Sequence, residues 1–346
     1  MRAIAVLCMV EVHTAAILPP KGITVGHPAA FVAAAFGGMA APMFVTISGW
    51  GMYRGARRRF EDGFSAIDWL NWILPRFAIL FLCQLLVNLL LNVERGGRFE
   101  FQTPGVLTLL AFATVISPLL ARLSTNYRLF VLVILGISPI FLGSLASPEI
   151  GWFQRVNSNG LYEWLERLLW NGTYPLFPWL FFVFLGTIVH DLRDKPRIRE
   201  MAIFFGIIFS IITILFSFYK KTAWALTSGE AILTFFPASV PFLLVSGSMV
   251  VLVMRILEGG ESRGRGPSFG SRLSFLEPAG RLSLTIYVTH FAVLGVAAYA
   301  MEGERLDVIP ALLVTMIHTL LWIPLAHVHE RRMPNISFEG ILRKLS

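Results

Sequence analysis

The first apolar stretch of the chain reads Arg2-Ala-Ile-Ala-Val-Leu-Cys-Met-Val-Glu-Val-His13. An ionisable side chain held in hydrocarbon costs at least a few kcal/mol, so each one found there is a candidate for function. In a helix, the eleven residues from Arg2 to His13 turn through about 1100° and so return to within ~20° of one face, with a rise of about 16 Å. One stripe of one helix therefore carries a guanidinium at its lower edge and an imidazole well above it. Such a stripe can hold an anionic ligand below and take a proton near neutral pH above. The plainer reading of the same two residues is a topology anchor and a hydrogen-bonded interior histidine. Glu11 points roughly the other way and is not expected to pair with either.

Other residues invite the same two readings. Arg76 follows Pro75 well inside an apolar block, where a charge must be paired or hydrated. Arg281 opens a late block as a phosphate-binding cation or a plain anchor. His290 lies nine residues beyond it, out of phase on a helix, and reads as a structural interior histidine. His318 reads the same way. His327-Val-His329-Glu330 carries histidines at i and i+2, which diverge on a helix, so no metal site is expected there. Cys8 and Cys83 fall inside apolar blocks, which disfavours a disulfide framework.

The elements that must position these groups are set by composition. Of 346 residues, 55% are hydrophobic and 14% charged, far fewer charges than a soluble domain needs for its polar skin. The apolar residues come in blocks of about 18–25, the length that crosses a bilayer as a helix. Spans are expected at about 2–19, 29–54, 69–93, 104–121, 125–146, 174–192, 200–219, 231–256, 280–300 and 306–327. The fold class is thus all-α: a polytopic integral membrane helical bundle of about ten transmembrane helices, forming one domain over 1–346. The first block is read as a retained span, not a cleaved signal.

The net charge of +8 does not point to nucleic acid, because the basic residues sit in short loops between apolar blocks. Arg54, Arg57, Arg58 and Arg59, then Arg193, Lys195, Arg197 and Arg199, fall on one side. By the positive-inside rule that side is cytoplasmic, and both termini lie there, in a plasma-membrane protein. The loop 147–173 contains Leu161-Tyr-Glu-Trp-Leu-Glu-Arg-Leu-Leu-Trp170, a candidate interfacial helix. The stretch 259–272 reads as a flexible cytoplasmic linker. Trp69, Trp72, Trp152 and Trp170 read as an interfacial aromatic belt.

Four segments in order carry a family resemblance. They are Arg-x-x-Ala-(x)7-His in the first span; Ala41-Pro-Met-Phe-Val-Thr-Ile-Ser-Gly49; Tyr174-Pro-Leu-Phe-Pro-Trp-Leu-Phe-Phe-Val-Phe-Leu-Gly186; and Gly280-Arg-Leu-Ser-Leu-Thr-Ile-Tyr287 leading to His290. The set resembles the transmembrane acyltransferase superfamily. The third segment looks most like the heparan-α-glucosaminide N-acetyltransferase branch, while other features resemble the acyltransferase-3 branch. The resemblance implies transfer of an acyl group, in the first instance acetyl, from a cytoplasmic acyl-CoA to a sugar or glycan acceptor reached from the outer side.

It also implies residues. His13 stands where acyltransferase-3 members place a catalytic histidine, and His27 stands roughly where the glucosaminide branch places its own; the two stay open as alternatives. The glucosaminide branch has an Asp before the second-span Pro, whereas here the stretch is Phe36-Gly-Gly-Met-Ala-Ala-Pro42, so a partner for a loop histidine is missing. Arg2, Arg76 and Arg281 are the cations that would hold the CoA phosphates, and Thr46, Ser48 or Asn171 could donate to an oxyanion. The expected partners are the lipid bilayer, an acyl-CoA and a sugar or glycan acceptor, with a homodimer left open and neither metal nor nucleic acid. Two other readings of the buried charges are a proton- or ion-coupled transporter or lipid flippase, and a non-catalytic membrane subunit.

Overall fold

In this computed structural model, residues 1–23, 28–259, 268–301 and 303–345 are described, with backbone alone for 28–36. The long helices in chain order are α1 (Arg2–Ile17), α2 (Pro28–Glu61) and α3 (Ala66–Leu90). The pair α4 (Val106–Val115) and α5 (Ser117–Arg122) is followed by α6 (Thr125–Leu142), then the short α7 (Trp152–Val156) and α8 (Leu161–Glu166). Next come α9 (Leu176–Asp191), α10 (Pro196–Lys220), a two-stranded parallel ladder of β1 (Ala223–Leu226) and β2 (Ala231–Thr234), and α11 (Val240–Leu257). The chain closes with α12 (Phe269–Arg272), α13 (Glu277–Arg281), α14 (Ser283–Met301), α15 (Val308–Arg332) and α16 (Phe338–Lys344).

This is an all-α polytopic membrane protein. Every expected apolar block carries a helix, and six helices are long and apolar enough to cross a bilayer, or seven if the bent segment Leu161–Asn171 plus Leu176–Asp191 is one span. The departures from the ten-block reading have local causes. The block 104–121 is two short helices: Pro118 lacks the N–H that would bond the Thr114 carbonyl, and Ser117 Oγ donates to that carbonyl instead at 2.7 Å. The block 231–256 starts as strand β2 and becomes helical only at Val240, just before Pro241. In α9, Phe177 is extended (φ −101°, ψ 116°) because it precedes Pro178, and the segments Leu161–Asn171 and Leu176–Asp191 meet at a 47° bend across the break between them. The bulk of the expected linker 259–272 lies outside the described residues, although Phe269–Arg272 forms the short helix α12.

The helices gather into two compact units. The first comprises Met1–Phe44, Leu82–Gln102 and Ile256–Ser346. In its core Ala3, Val6 and Val10 of α1 pack with Ala279, Ile286 and Ala326. Small residues bring the helices close: a Cβ on Gly280 would meet the Ala3 amide nitrogen at 3.2 Å. Arg98 caps α1 by donating to the Ala16 carbonyl, a cation at a helix C-terminus.

The second unit comprises Val45–Phe81 and Thr103–Arg255. Here α6 runs along α9, and α2 meets α9 backbone to backbone. A Cβ on Gly49 would lie 2.6 Å from the Val183 carbonyl oxygen, and one on Gly186 2.6 Å from the Trp50 amide. The two glycines that end the second and third family-like segments are therefore the crossing point of those two helices, where no side chain fits. The aromatic belt reading is corrected for Trp69 and Trp72, which are buried. The Trp72 ring is faced by the guanidiniums of Arg59 at 4.6 Å and Arg76 at 4.4 Å, which draws it inward. On α8, Leu161, Tyr162 and Leu165 are exposed, as an interfacial helix requires.

Candidate functional site

Within the first unit, α1 and α14 bring two imidazoles together. His13 Nδ1 and His290 Nε2 are 2.9 Å apart. The rings are close to coplanar, 5° apart with centroids at 5.2 Å, as an in-plane N–H···N bond demands. Burial differs: His290 has no exposed surface, whereas His13 is only half-buried. The aromatic side chains of Phe291, with its centroid 4.6 Å from His13 and 4.2 Å from His290, and Tyr287 wall the pair with apolar surface. Phe99 and Phe44 pack behind them.

The hydrogen bonds decide where the protons of the neutral pair sit. His290 Nδ1 lies 3.0 Å from the Ile286 carbonyl, one helical turn back. A carbonyl oxygen only accepts, so His290 Nδ1 carries the hydrogen and His290 Nε2 the lone pair. That lone pair must then accept from His13 Nδ1–H. The consequence is a His13 ring whose other nitrogen, Nε2, keeps a lone pair that no group among the described residues takes up: a base, oriented by a buried partner. The logic is that of any base whose tautomer is set by a third group.

A second imidazole leans on the same turn of α1. Thr14 Oγ1 donates its one hydrogen to the Val10 carbonyl at 2.6 Å, so at 2.8 Å it accepts from His318 Nδ1–H on α15. His318 Nε2 is buried and has no hydrogen-bond partner among the described residues.

The other candidates are spread over both units. Arg2 is exposed at the start of α1. Arg281 donates to Glu330 through Nε at 2.7 Å and Nη2 at 3.0 Å, and to Glu277 through Nη1 at 3.1 Å. Those carboxylates, Glu330 first, hold its guanidinium above the usual arginine range; the arrangement supports the anchor reading and argues against a phosphate role. Arg76 belongs to the second unit, where Nη1 donates to the Trp72 carbonyl at 2.9 Å while the guanidinium faces the Trp72 ring. Thr46, Ser48 and Asn171 are in that unit too, and Asn171 Oδ1 accepts from Arg167 at 2.7 Å. His27 lies outside the described residues. His327 and His329 each bond a backbone carbonyl, of Phe275 and Ile336. Among the described residues, no group of three or more His, Cys, Asp or Glu could hold a metal ion.

His290, expected as a structural interior histidine or, in a transporter, as part of a relay with Glu11, His13 and Arg76, is buried and bonded to His13. Its signal was depth: α1 and α14 are each expected to start at the same face, and each carries an interior imidazole two to three turns in.

The fold places the chain among helical membrane bundles, with His13 about three turns into the first helix. The chain belongs to the acyltransferase-3 family, whose model, described as an acyltransferase domain, matches residues 1–328. It is a membrane acyltransferase. The expected leaning toward the glucosaminide branch finds no support in that match. No curated protein matches the chain significantly.

Proposed function

We propose that the chain transfers an acyl group, in the first instance acetyl, from a cytoplasmic acyl-CoA to a hydroxyl or amine of a sugar or glycan on the outer side of the plasma membrane. Both termini are taken as cytoplasmic on the Lys/Arg bias. One observation carries the reading: the open Nε2 of His13, its tautomer set by His290. In the reaction the acceptor O–H or N–H gives its proton to His13 Nε2 as its heteroatom attacks the acyl carbonyl. The C–S bond then breaks, and the departing thiolate takes the proton from the imidazolium. His13 thus serves as base and then acid. Arg2 fits the donor's phosphates better than Arg281, because Arg281 is held by two carboxylates. His27 remains the alternative base.

The test uses the full chain in lipid nanodiscs with acetyl-CoA and a panel of sugar acceptors, reading free CoA thiol. Acceptor-dependent thiol release that His13→Ala abolishes supports the reading. Full release by His13→Ala moves the base to His27 if His27→Ala is inactive. Substrate counterflow in liposomes with no CoA chemistry would replace the enzyme by a transporter.

A further inference from the structure

The bond between His13 and His290 depends on how α14 is seated against α1, and a carboxylate from the last helix holds the start of α14. Glu339 on α16 accepts from the Leu284 amide at 2.5 Å and the Thr285 amide at 3.1 Å through Oε1, and from Thr285 Oγ1 at 2.6 Å through Oε2. The bond is reciprocated, since the Phe338 amide donates to Thr285 Oγ1 at 3.1 Å. These are first-turn amides with no partner inside their own helix, and a carboxylate is the occupant that the helix dipole favours there. Four hydrogen bonds, three to the Glu339 carboxylate and one from the Phe338 amide, thus fix two consecutive residues.

The residues immediately beyond Thr285 on α14 give the anchor its significance. Ile286 comes next and is one of the side chains packed against Ala3, Val6 and Val10 of α1. Its carbonyl accepts from His290 Nδ1. His290 stands five residues beyond Thr285, about 7.5 Å along the axis. Anchor, packing residue, tautomer-setting carbonyl and imidazole occupy one and a half turns of one helix. A slip or rotation at Thr285 therefore reaches the 2.9 Å contact with little chance to dissipate. The carboxylate's charge also acts on Arg2, in the first turn of the helix that carries His13. Glu339 lies beyond the stretch matched to the family, 1–328.

We propose that Glu339 is a positioning residue for acyl transfer: by bonding three donors in the first turn of α14, it sets the height and rotation at which His290 meets His13. The proposal rests on the assignment of His13 as the acid–base residue.

The experiment measures kcat and donor KM for Glu339→Gln and Glu339→Ala in nanodiscs, each alone and combined with His290→Asn. Glu339→Gln keeps the volume and one acceptor oxygen, so it remains informative should the Ala variant fold poorly. Expected is a fall in kcat of about 10-fold for Gln and more for Ala, with donor KM within about twofold. In the His290→Asn background neither substitution should lower kcat further, because the contact that Glu339 positions is already gone. Wild-type kcat in both variants overturns the proposal, as does an equal fall in both backgrounds or a change confined to KM. A fully active His13→Ala would instead fail the acid–base reading itself, whatever Glu339 does.

Discussion

A polar cluster of the first unit, the histidine pair, and one of the second, around Arg128, are satisfied to different degrees. In the second unit Arg128 is 2% exposed, and each nitrogen of its guanidinium donates a hydrogen bond. Its Nε donates to the Leu123 carbonyl at 3.2 Å and Nη1 to the Thr187 carbonyl at 3.3 Å. Nη2 pairs with Asp191, and the face stacks on Tyr53 at 4.2 Å. Thr125 Oγ1 completes the carboxylate at 2.7 Å. In the first unit, each bond of the histidine pair passes the remaining valence on until it ends on Nε2 of the half-buried His13. A closed network rigidifies a fold. An open one has something left to give a substrate. Under the proposed function, the arginine cluster belongs to structure and the histidine pair to chemistry, although both sit in apolar surroundings.

Substitutions should separate the two. The largest effect is expected from His13→Ala, which should lower acyl transfer by ~10²–10⁴-fold with an unchanged thermal midpoint; His290→Asn should lower it less, since the base survives without its orienting partner. Loss of stability rather than rate in these variants would make the two clusters alike. Gly186→Leu drives a side chain into the backbone of α2 and should cost at least ~3 kcal/mol, read as lost folded yield. Arg128→Leu leaves Asp191 without its partner. It should cost about 3 kcal/mol in thermal or denaturant unfolding, while the folded fraction keeps its rate. Smallest of all, Arg281→Gln removes exposed ion pairs worth ~0–1 kcal/mol and should leave donor KM within about twofold. A tenfold rise in KM there would return Arg281 to the donor site.

The helices were legible because hydrophobic length is a property of contiguous residues, and the candidate base was legible because Arg2 and His13 share one helix. What escaped depends on packing between distant segments. Pro118 could be tolerated or could break a span, and the choice turned on Ser117 taking the Thr114 carbonyl. Trp69 and Trp72 have the composition of a lipid interface, yet Arg59 and Arg76 claim the Trp72 ring from either side of a loop. His290 meets His13 where α1 packs against α13 and α14 through Ala3, Ala279 and Ile286. Nothing local to Glu339 announces that it caps a helix which begins more than fifty residues earlier.

The proton arrangement of the histidine pair can be read directly. With ¹⁵N-labelled histidine in nanodiscs, and His13→Asn and His290→Asn as assignment variants, the ring nitrogens of the two residues report which of them carry hydrogen. The account requires hydrogen on Nδ1 of both rings in the neutral pair, with His13 Nε2 bare. Hydrogen on His13 Nε2, with its Nδ1 accepting from His290, would leave no open base on α1 and would contradict it.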